Sequence, residues 1–367
     1  DSGHIQEEDI KYVNKINRRK HRPQRCPLYT RKDAEDSLQY FSGIEYNRNT
    51  PITDDIQCCF YEAGHILGSS IVVLEIKTGP DKPPLRLAYA VDLGRKDLPI
   101  LKDPQVPEDI DYLIIESTYG NRLHEDMEEV KGKLAAVINR TVDRGGKVII
   151  PSFAMERTQE VVYFINQLLS EGLIPDLPIF VDSPLAINVT EIFGRHPECF
   201  DKEMMDQMLK GQNPFGFGRI NYTRDVAKSK KLHSDPRPMI IISASGMCEN
   251  GRILHHLKNN IEDPKNSILI VGFMAANTLG RKLVEKQPVV RIFGEEYQRR
   301  AEIVKLNAFS AHADKDELME YVSGFNEKLK KIFIVHGEEE QSKVLCGHLN
   351  SKGFNSCLPR PGEEIEL

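Results

Sequence analysis

The chain has no tryptophan and no Cys-x-x-Cys pair among its 367 residues. Its seven cysteines, Cys26, Cys58, Cys59, Cys199, Cys248, Cys346 and Cys357, are odd in number and scattered. That spacing supports neither a disulfide framework nor a cysteine-type zinc ribbon, and a reducing, cytoplasmic setting is expected. No apolar run approaches the roughly 18 residues that a membrane span needs. Runs such as Val148–Ile150 and Met239–Ile242 have the length of buried strands, and no membrane contact is expected. An excess of basic charge is also missing: 49 Lys and Arg against 55 Asp and Glu give a formal charge of −6. This argues against a nonspecific polyanion binder with basic tails. It leaves room for a nucleic-acid enzyme with a local basic cleft, because net charge does not report where charges sit. The opening Asp1-Ser-Gly-His-Ile-Gln has no Met, no basic region and no apolar core. It is not a signal peptide and reads as the middle of a protein.

What is present is ordinary globular material. Hydrophobic residues make up 40% and charged residues 28%, which removes collagen-like, low-complexity and disordered classes. At roughly 150 residues per domain, the length suits two or three domains. Residues 6–19 place acidic residues ahead of basic ones, as a helix dipole prefers, and a second helical pattern lies near Ala34–Phe41. From Ile56 the period becomes that of strands: Ile56–Glu62, Ile71–Ile76, Leu85–Val91 and Tyr112–Ile115. Helices and strands then alternate. The first stretch reads helix Glu128–Arg144, strand Lys147–Ile150, helix Arg157–Glu171, strand Pro178–Val181 and helix Leu185–Phe193. The second reads strand Met239–Ser243, helix Gly251–Asn260, strand Ser267–Val271, helix Thr278–Lys286 and strand Val289–Phe293. Helix Lys315–Phe325, strand Lys331–Val335 and helix Glu338–Lys352 close the chain. Such alternation implies a mainly parallel sheet covered on both faces. Asn213–Phe217 reads as a surface excursion.

Five segments place a polar residue directly at the end of an apolar strand, where α/β folds assemble their sites. They are Gly64-His65, Val91-Asp92, Ile115-Glu116, Phe309-Ser310-Ala311-His312 and Val335-His336-Gly337. Two carboxylates and three imidazoles make a donor set suited to Zn²⁺. A bridging carboxylate with imidazoles is what a two-metal hydrolase uses on a phosphate ester. His124, His196, His233, His255, His256 and His348 read as surface or packing residues, Asp182-Ser183-Pro184 as a strand-end turn, and Ser152 as a helix cap.

These segments, in this order, resemble the metallo-β-lactamase fold carrying a β-CASP insertion. That family includes the endonuclease subunit of the cleavage and polyadenylation specificity factor and bacterial ribonuclease J. Gly64-His-Ile-Leu-Gly-Ser-Ser resembles the third metal motif and Val91-Asp-Leu-Gly-Arg the fourth. Glu116-Ser-Thr-Tyr-Gly-Asn resembles β-CASP motif A, Phe309-Ser-Ala-His-Ala-Asp motif B, and Val335-His-Gly-Glu motif C. The resemblance implies that His65, Asp92 and His336 are metal ligands, with Asp92 bridging two Zn²⁺. It implies that Glu116 orients His312, and that His312 protonates the leaving oxygen. A His at motif C is the pattern of the RNA-acting branch. The family's His-x-His-x-Asp-His signature is absent here. Relatives carry it ahead of the segment that Asp1–Asp9 resembles, so it is expected upstream, the chain lacking its N-terminal part. Each zinc keeps two ligands from this chain, fewer than a catalytic zinc uses.

Within the insertion, Ser243-Ala-Ser245-Gly246-Met-Cys-Glu-Asn-Gly-Arg252 and Asn277-Thr278-Leu-Gly280-Arg281 each follow a strand and open a helix. Small residues there let backbone N–H groups approach an anion, and Arg281 can hold a phosphate by two hydrogen bonds. The family uses matching segments on the RNA backbone, so Ser245, Gly246, Arg252, Thr278, Gly280 and Arg281 are the candidate phosphate ligands. Thr278 alone reads equally well as a cap.

The expected architecture is α/β: a metallo-β-lactamase αββα sandwich, incomplete at its N-terminus, with an inserted β-CASP domain of mainly parallel sheet. Residues 1–120 and 306–367 would form the first lobe and 121–305 the insertion. The expected function is hydrolysis of RNA phosphodiester bonds with two Zn²⁺ in the full-length protein, RNA being the partner and a homodimer left open. The rivals are a non-catalytic RNA-binding scaffold, a DNA nuclease of the same fold, against which His336 argues, and a small-molecule metallohydrolase, against which the long insertion argues.

Overall fold

The structure, a computed structural model, describes residues 2–216, 218–306 and 309–367. Asp1 and Phe217, each the end of a segment named above, lie outside them. Backbone contacts divide the chain into Asp1–Arg48 and Asn49–Leu367.

The first unit is a helical pair. α1 (Ser2–Arg19) begins four residues before the acidic run, and His21 in the left-handed region (φ 52°) closes it. α2 (Arg31–Ser37) starts on a capping box, in which Thr30 accepts from the Asp33 amide and Asp33 accepts from the Thr30 amide.

The second unit holds two sheets, entered in chain order. β1 (Thr50–Pro51), β2 (Ile56–Glu62), β3 (Ser70–Ile76) and β4 (Leu85–Ala90) form an antiparallel meander, and β5 (Tyr112–Ile115) joins β4 in parallel. The chain then builds a second, all-parallel sheet. Its elements are α3 (Met127–Asp143), β6 (Val148–Pro151), α4 (Arg157–Ser170), β7 (Ile179–Val181), α5 (Pro184–Phe193), α6 (Lys202–Leu209), β8 (Asn221–Tyr222), α7 (Val226–Ser234), β9 (Ile240–Ser243), α8 (Arg252–Asn260), β10 (Ser267–Ile270) and α9 (Leu279–Val284). β11 (Val289–Ile292) and β12 (Glu295–Gln298) form a separate antiparallel hairpin, and β13 (Glu302–Lys305) completes the second sheet in the order β13-β10-β6-β9-β7-β8. α10 (Lys315–Ser323), β14 (Lys331–Ile334), α11 (Glu339–Ser351) and β15 (Ser356–Cys357) return to the first sheet, which runs β1-β2-β3-β4-β5-β14-β15.

Each sheet has its own core. Ile71, Ala88, Leu113, Ile115, Leu318 and Leu345 pack under the first, and Ile149, Ile241, Ile253, Leu257, Ile268 and Leu283 under the second. Each fully buried Leu or Ile contributes about 1.5–3 kcal/mol. β6, β9 and β10 are buried at every residue, as central parallel strands must be.

Three expectations are corrected. Asn213–Phe217 is not a surface excursion over its described residues, because Phe215 is buried edge-on against Phe193. Ser152 does not cap a helix; Glu156 holds the cap position of α4. The strand at Val289 leaves the parallel sheet and pairs with β12, and its place at the sheet edge is taken by β13.

Candidate active site

Register explains why the strand-end residues meet. Ala90, Ile115 and Ile334 are cross-strand partners at the ends of the parallel trio β4, β5 and β14. Asp92, Glu116 and His336 therefore leave the sheet side by side. β2 is antiparallel to β3, and β3 to β4, so β2 also ends at this edge and delivers His65 there. His312 arrives on the connection from β13 into α10. Two of these turns are sharp: Asp92 and His336 both take left-handed backbone, at φ 56° and 48°. Non-glycine residues adopt that conformation at a cost, and they collect at functional sites.

The side chains converge on Asp92. Its Oδ1 lies 3.8 Å from His336 Nε2 and 3.9 Å from His312 Nδ1. Donor atoms of His65, Asp92 and His312 all lie within 4.8 Å of one another. The His65 and His312 ring centres are 4.4 Å apart, and those of His312 and His336 5.9 Å. Imidazoles around a carboxylate are the donor types that zinc takes, and these separations are somewhat wider than the roughly 3.4 Å between donors on a tetrahedral ion. Burial, and then the charge of His312, push the His65 imidazole down to about 4, which leaves it neutral. The Ala311 backbone approaches that ring, but no hydrogen bond of normal geometry reaches its buried Nδ1 among the described residues. A neutral imidazole is the form in which histidine binds a cation. His336 Nδ1 sits 3.2 Å from the Thr118 hydroxyl, which leaves Nε2 to face Asp92.

Glu116 is fully buried beside the cluster. Its Oε2 and Oε1 lie 2.9 and 3.1 Å from His312 Nδ1, and the Leu93 amide donates to Oε1 at 2.5 Å. Burial works to raise the carboxyl, but it is outweighed by the His312 hydrogen bond and charge, the Thr118 hydroxyl and the Leu93 amide, and the group ends below its ordinary value. His124, read as a surface or packing histidine, also braces the cluster. Its Nε2 lies 2.9 Å from the His312 carbonyl and its ring packs on Tyr119 at 4.5 Å. Nothing in its local pattern distinguishes it from a surface histidine.

The two metal loops touch through backbone. The Gly94 amide donates to the Ala63 carbonyl at 2.7 Å, and a Cβ on Gly94 would lie 2.1 Å from the Gly64 carbonyl carbon and oxygen. Only glycine permits that approach. The second sheet also reaches this loop: buried Glu156, itself left-handed at φ 62°, accepts from the Leu67 amide at 3.2 Å. Burial and the Glu160 charge push Glu156 well up.

Comparison with known proteins bears on the whole of this arrangement. The Beta-Casp domain model matches residues 158–283, and the model described as a Zn-dependent metallo-hydrolase RNA specificity domain matches 296–359. Ribonuclease TTHA0252 of Thermus thermophilus is 35% identical over 342 residues, covering 93% of this chain and 76% of its own length. The chain belongs to the β-CASP metallo-β-lactamase family. The RNase J-like protein of Methanocaldococcus jannaschii is 33% identical over 317 residues, with 86% of this chain and 71% of its own length covered. Transcription termination factor FttA of Methanosarcina mazei is 30% identical over 326 residues, and the chain spans only 50% of its length.

The Beta-Casp match runs from α4 to α9, and the metallo-hydrolase match from β12 through β13 to β15. His312 and His336 fall within the metallo-hydrolase match and the candidate phosphate ligands within the Beta-Casp match; His65, Asp92 and Glu116 lie outside both. Most of those candidate ligands have structural work in the β-CASP domain. Arg252, expected to hold phosphate, instead bonds Asp182 Oδ1 at 2.6 Å and the carbonyls of Thr223 and Arg224 at 3.0 and 2.6 Å. Asp182 is fully buried and takes His256 Nε2 at 2.6 Å and the Ser229 hydroxyl at 2.5 Å on its other oxygen. His256 is thus a packing residue, and Asp182 stands at the end of β7 as expected while also anchoring this network. The i, i+4 spacing of Arg252 and His256 on α8 was the available signal. Thr278 caps α9, accepting from the Arg281 amide at 3.1 Å. Gly246 lies against the Phe153 ring and Gly280 against Met274 and the Met247 carbonyl, where a Cβ would collide. The Ser245 hydroxyl accepts from the Glu249 amide at 3.2 Å. Arg281 lines a cavity of about 230 Å³ together with Tyr119, Arg122 and Lys305.

Proposed function

We propose that this chain is the catalytic part of a zinc-dependent ribonuclease that hydrolyses RNA phosphodiester bonds. The observation that carries the reading is the convergence of three imidazoles on Asp92 at one sheet edge, beside the Arg281 cavity. The relatives named as ribonucleases support RNA as the substrate. His65 and Asp92 would hold one Zn²⁺, and Asp92 and His336 the other. The bound zinc pair supplies Lewis-acid chemistry, activating a water and offsetting the charge of the scissile phosphate.

The remaining work belongs to this chain's own side chains. Glu116 takes the Nδ1 proton of His312 in a hydrogen bond, which leaves Nε2 to carry the mobile proton. His312 gives that proton to the departing ribose oxygen. Arg281 holds the substrate backbone by charge-assisted hydrogen bonds. Ser245, Gly246, Thr278 and Gly280 shape the neighbouring loops; Arg252 is assigned to Asp182 and not to RNA. A reducing cytoplasm is the proposed setting, and all seven cysteines are free thiols. Among the described residues no helix is long and apolar enough to cross a membrane.

The test is metal content and cleavage in the protein carrying this chain. Asp92→Ala removes both zinc ions and His336→Ala mainly one, by plasma mass spectrometry, and each loses cleavage of single-stranded RNA. Equal zinc in wild type and Asp92→Ala would sink the assignment. The second reading, a non-catalytic RNA-binding member, requires that the protein carrying this chain have no His-x-His-x-Asp-His motif. It forecasts RNA binding without cleavage at any zinc concentration.

A further inference from the structure

Two neighbouring cavities of about 230 Å³ each share Tyr119, Arg122 and Phe273 in their walls. One extends to His336 and Gly337; the other is lined by His124 and Ser310 and extends to Arg281 and Lys305. The shared wall is close to the reacting groups, since the Tyr119 ring centre is 6.5 Å from that of His312. The second cavity is strongly biased in charge. Its lining contains three cations, Arg122, Arg281 and Lys305, against one carboxylate, Glu125. That carboxylate is itself turned to Lys133 Nζ, 2.5 Å away. In a chain of net charge −6, such a local excess of cations needs a reason.

The three cations are also poorly compensated by the fold. Among the described residues no hydrogen bond or ion pair engages the Lys305 ammonium, and the Arg122 side chain bonds only that of Asn121, at 3.2 Å, and lies 6.0 Å over the Tyr119 ring. Arg281 meets Glu285 through Nε at 2.7 Å. Burial, and then the charges of Arg122 and Arg281, hold Lys305 below its ordinary value, the direction that an incoming anion would reverse. Phe273 stands in the shared wall with 47% of its surface exposed. An exposed aromatic ring beside cations is the usual platform for a stacked base.

We infer that Arg122, Lys305 and Arg281 form a subsite for an internal backbone phosphate neighbouring the scissile one, with Phe273 as the stacking face for the intervening base. The inference rests on the RNA reading above and deepens it by assigning Arg122, Lys305 and Phe273, which that reading does not use. A phosphate there would lie between three donors that can form charge-assisted hydrogen bonds, and the base next to it would leave water for the Phe273 ring.

The test is equilibrium binding of a 3′-fluorescein, 5′-hydroxyl oligouridylate to the metal-free protein across a salt series, read by anisotropy. Lys305→Gln and Arg122→Gln are each expected to weaken binding about 10-fold at low salt. Each should lower the slope of log affinity against log salt by about 0.7, the value for one lost contact to a single strand. Lys305→Arg restores both quantities. Phe273→Ala weakens binding about 10-fold while leaving the slope unchanged. Arg291→Ala, a remote cation paired with Glu296 on the β11–β12 hairpin, changes neither. Thermal unfolding confirms that each variant is folded. Unchanged affinity and slope in folded Lys305→Gln and Arg122→Gln, with wild type binding normally, overturn the subsite and leave the ribonuclease reading standing. Failure of wild type to bind RNA overturns both. A loss confined to a 5′-phosphorylated probe assigns the cavity to a chain end and overturns the internal position.

Discussion

His312 is held at one nitrogen and open at the other. Glu116 fixes Nδ1 at 2.9 Å, while the ring also lies within ligand distance of His65 and Asp92. Those two facts make different forecasts, and one variant separates them. As the proton donor, His312→Ala retains its zinc, keeps RNA affinity within a few-fold and loses about 10²–10⁴-fold in single-turnover cleavage. Loss of zinc along with activity would make it a ligand. Gly94 decides a different matter at the same scale. An added methyl would overlap the Gly64 carbonyl, and backbone cannot swing aside as a flexible side chain can. Gly94→Ala is expected to drive the His65 and Asp92 loops apart, costing about 3 kcal/mol in urea denaturation and lowering zinc content.

Between elements, a half-exposed ion network holds α3 to the second sheet. Glu302 at the start of β13 takes Arg140 and Arg144 from α3, at 2.7 and 2.8 Å, and accepts from the Ser267 hydroxyl on β10 at 3.1 Å. Arg140, working against burial and aided by Arg144 and Ser267, brings the Glu302 carboxyl from 4.5 down to about 2. A depressed carboxyl adds stability that is fully present above the unfolded value and is lost as pH falls through the folded one. The window is therefore pH 4.5 down to about 2. Because these side chains are a third or more exposed, solvent screening reduces the contribution to about 1 kcal/mol. Glu302→Gln is expected to be about that much less stable at pH 7 and to lose less stability on acidification, both read from denaturant midpoints.

Across the whole second unit, the candidate centre draws on loops after β2, β4, β5, β13 and β14, with Glu156 at the start of α4 bonded to the Leu67 amide of the first of them. A ligand that binds only the folded arrangement stabilises it by mass action, by about 2.7 kcal/mol at 100 times its dissociation constant. Added Zn²⁺ is thus expected to raise the melting temperature of the wild-type protein by about 5 °C, and a chelator to reverse the rise. In Asp92→Ala the response should vanish. A rise of equal size in that variant would place the metal elsewhere.

Much of this was legible in the chain itself, because strand-to-helix alternation, apolar runs and polar residues at strand ends are local patterns. His65, Asp92, Glu116, His312 and His336 could be named, and the structure brings all five to one edge. Short polar elements were not legible: β8, β12, β13 and β15 carry two to four residues each, and they become strands only because a neighbour offers its backbone. α6 and α7 also went unread, although Asp201 and Asp225 cap them through ordinary side-chain bonds. The roles of Arg252 and His124 depended wholly on tertiary structure. A guanidinium on a helix start can meet phosphate or a buried carboxylate with equal chemistry, and only the fold places Asp182 at 2.6 Å. Nor does the pattern around Lys305 set it apart from any lysine at a strand end. Its place beside Arg122 and Arg281 arises because β13 ends where the motif A loop and α9 meet, more than 180 residues from one partner and about 24 from the other. Sequence determined which residue types stand at the strand ends. The register of parallel strands, and the closing of distant loops on one another, decided which of them act together.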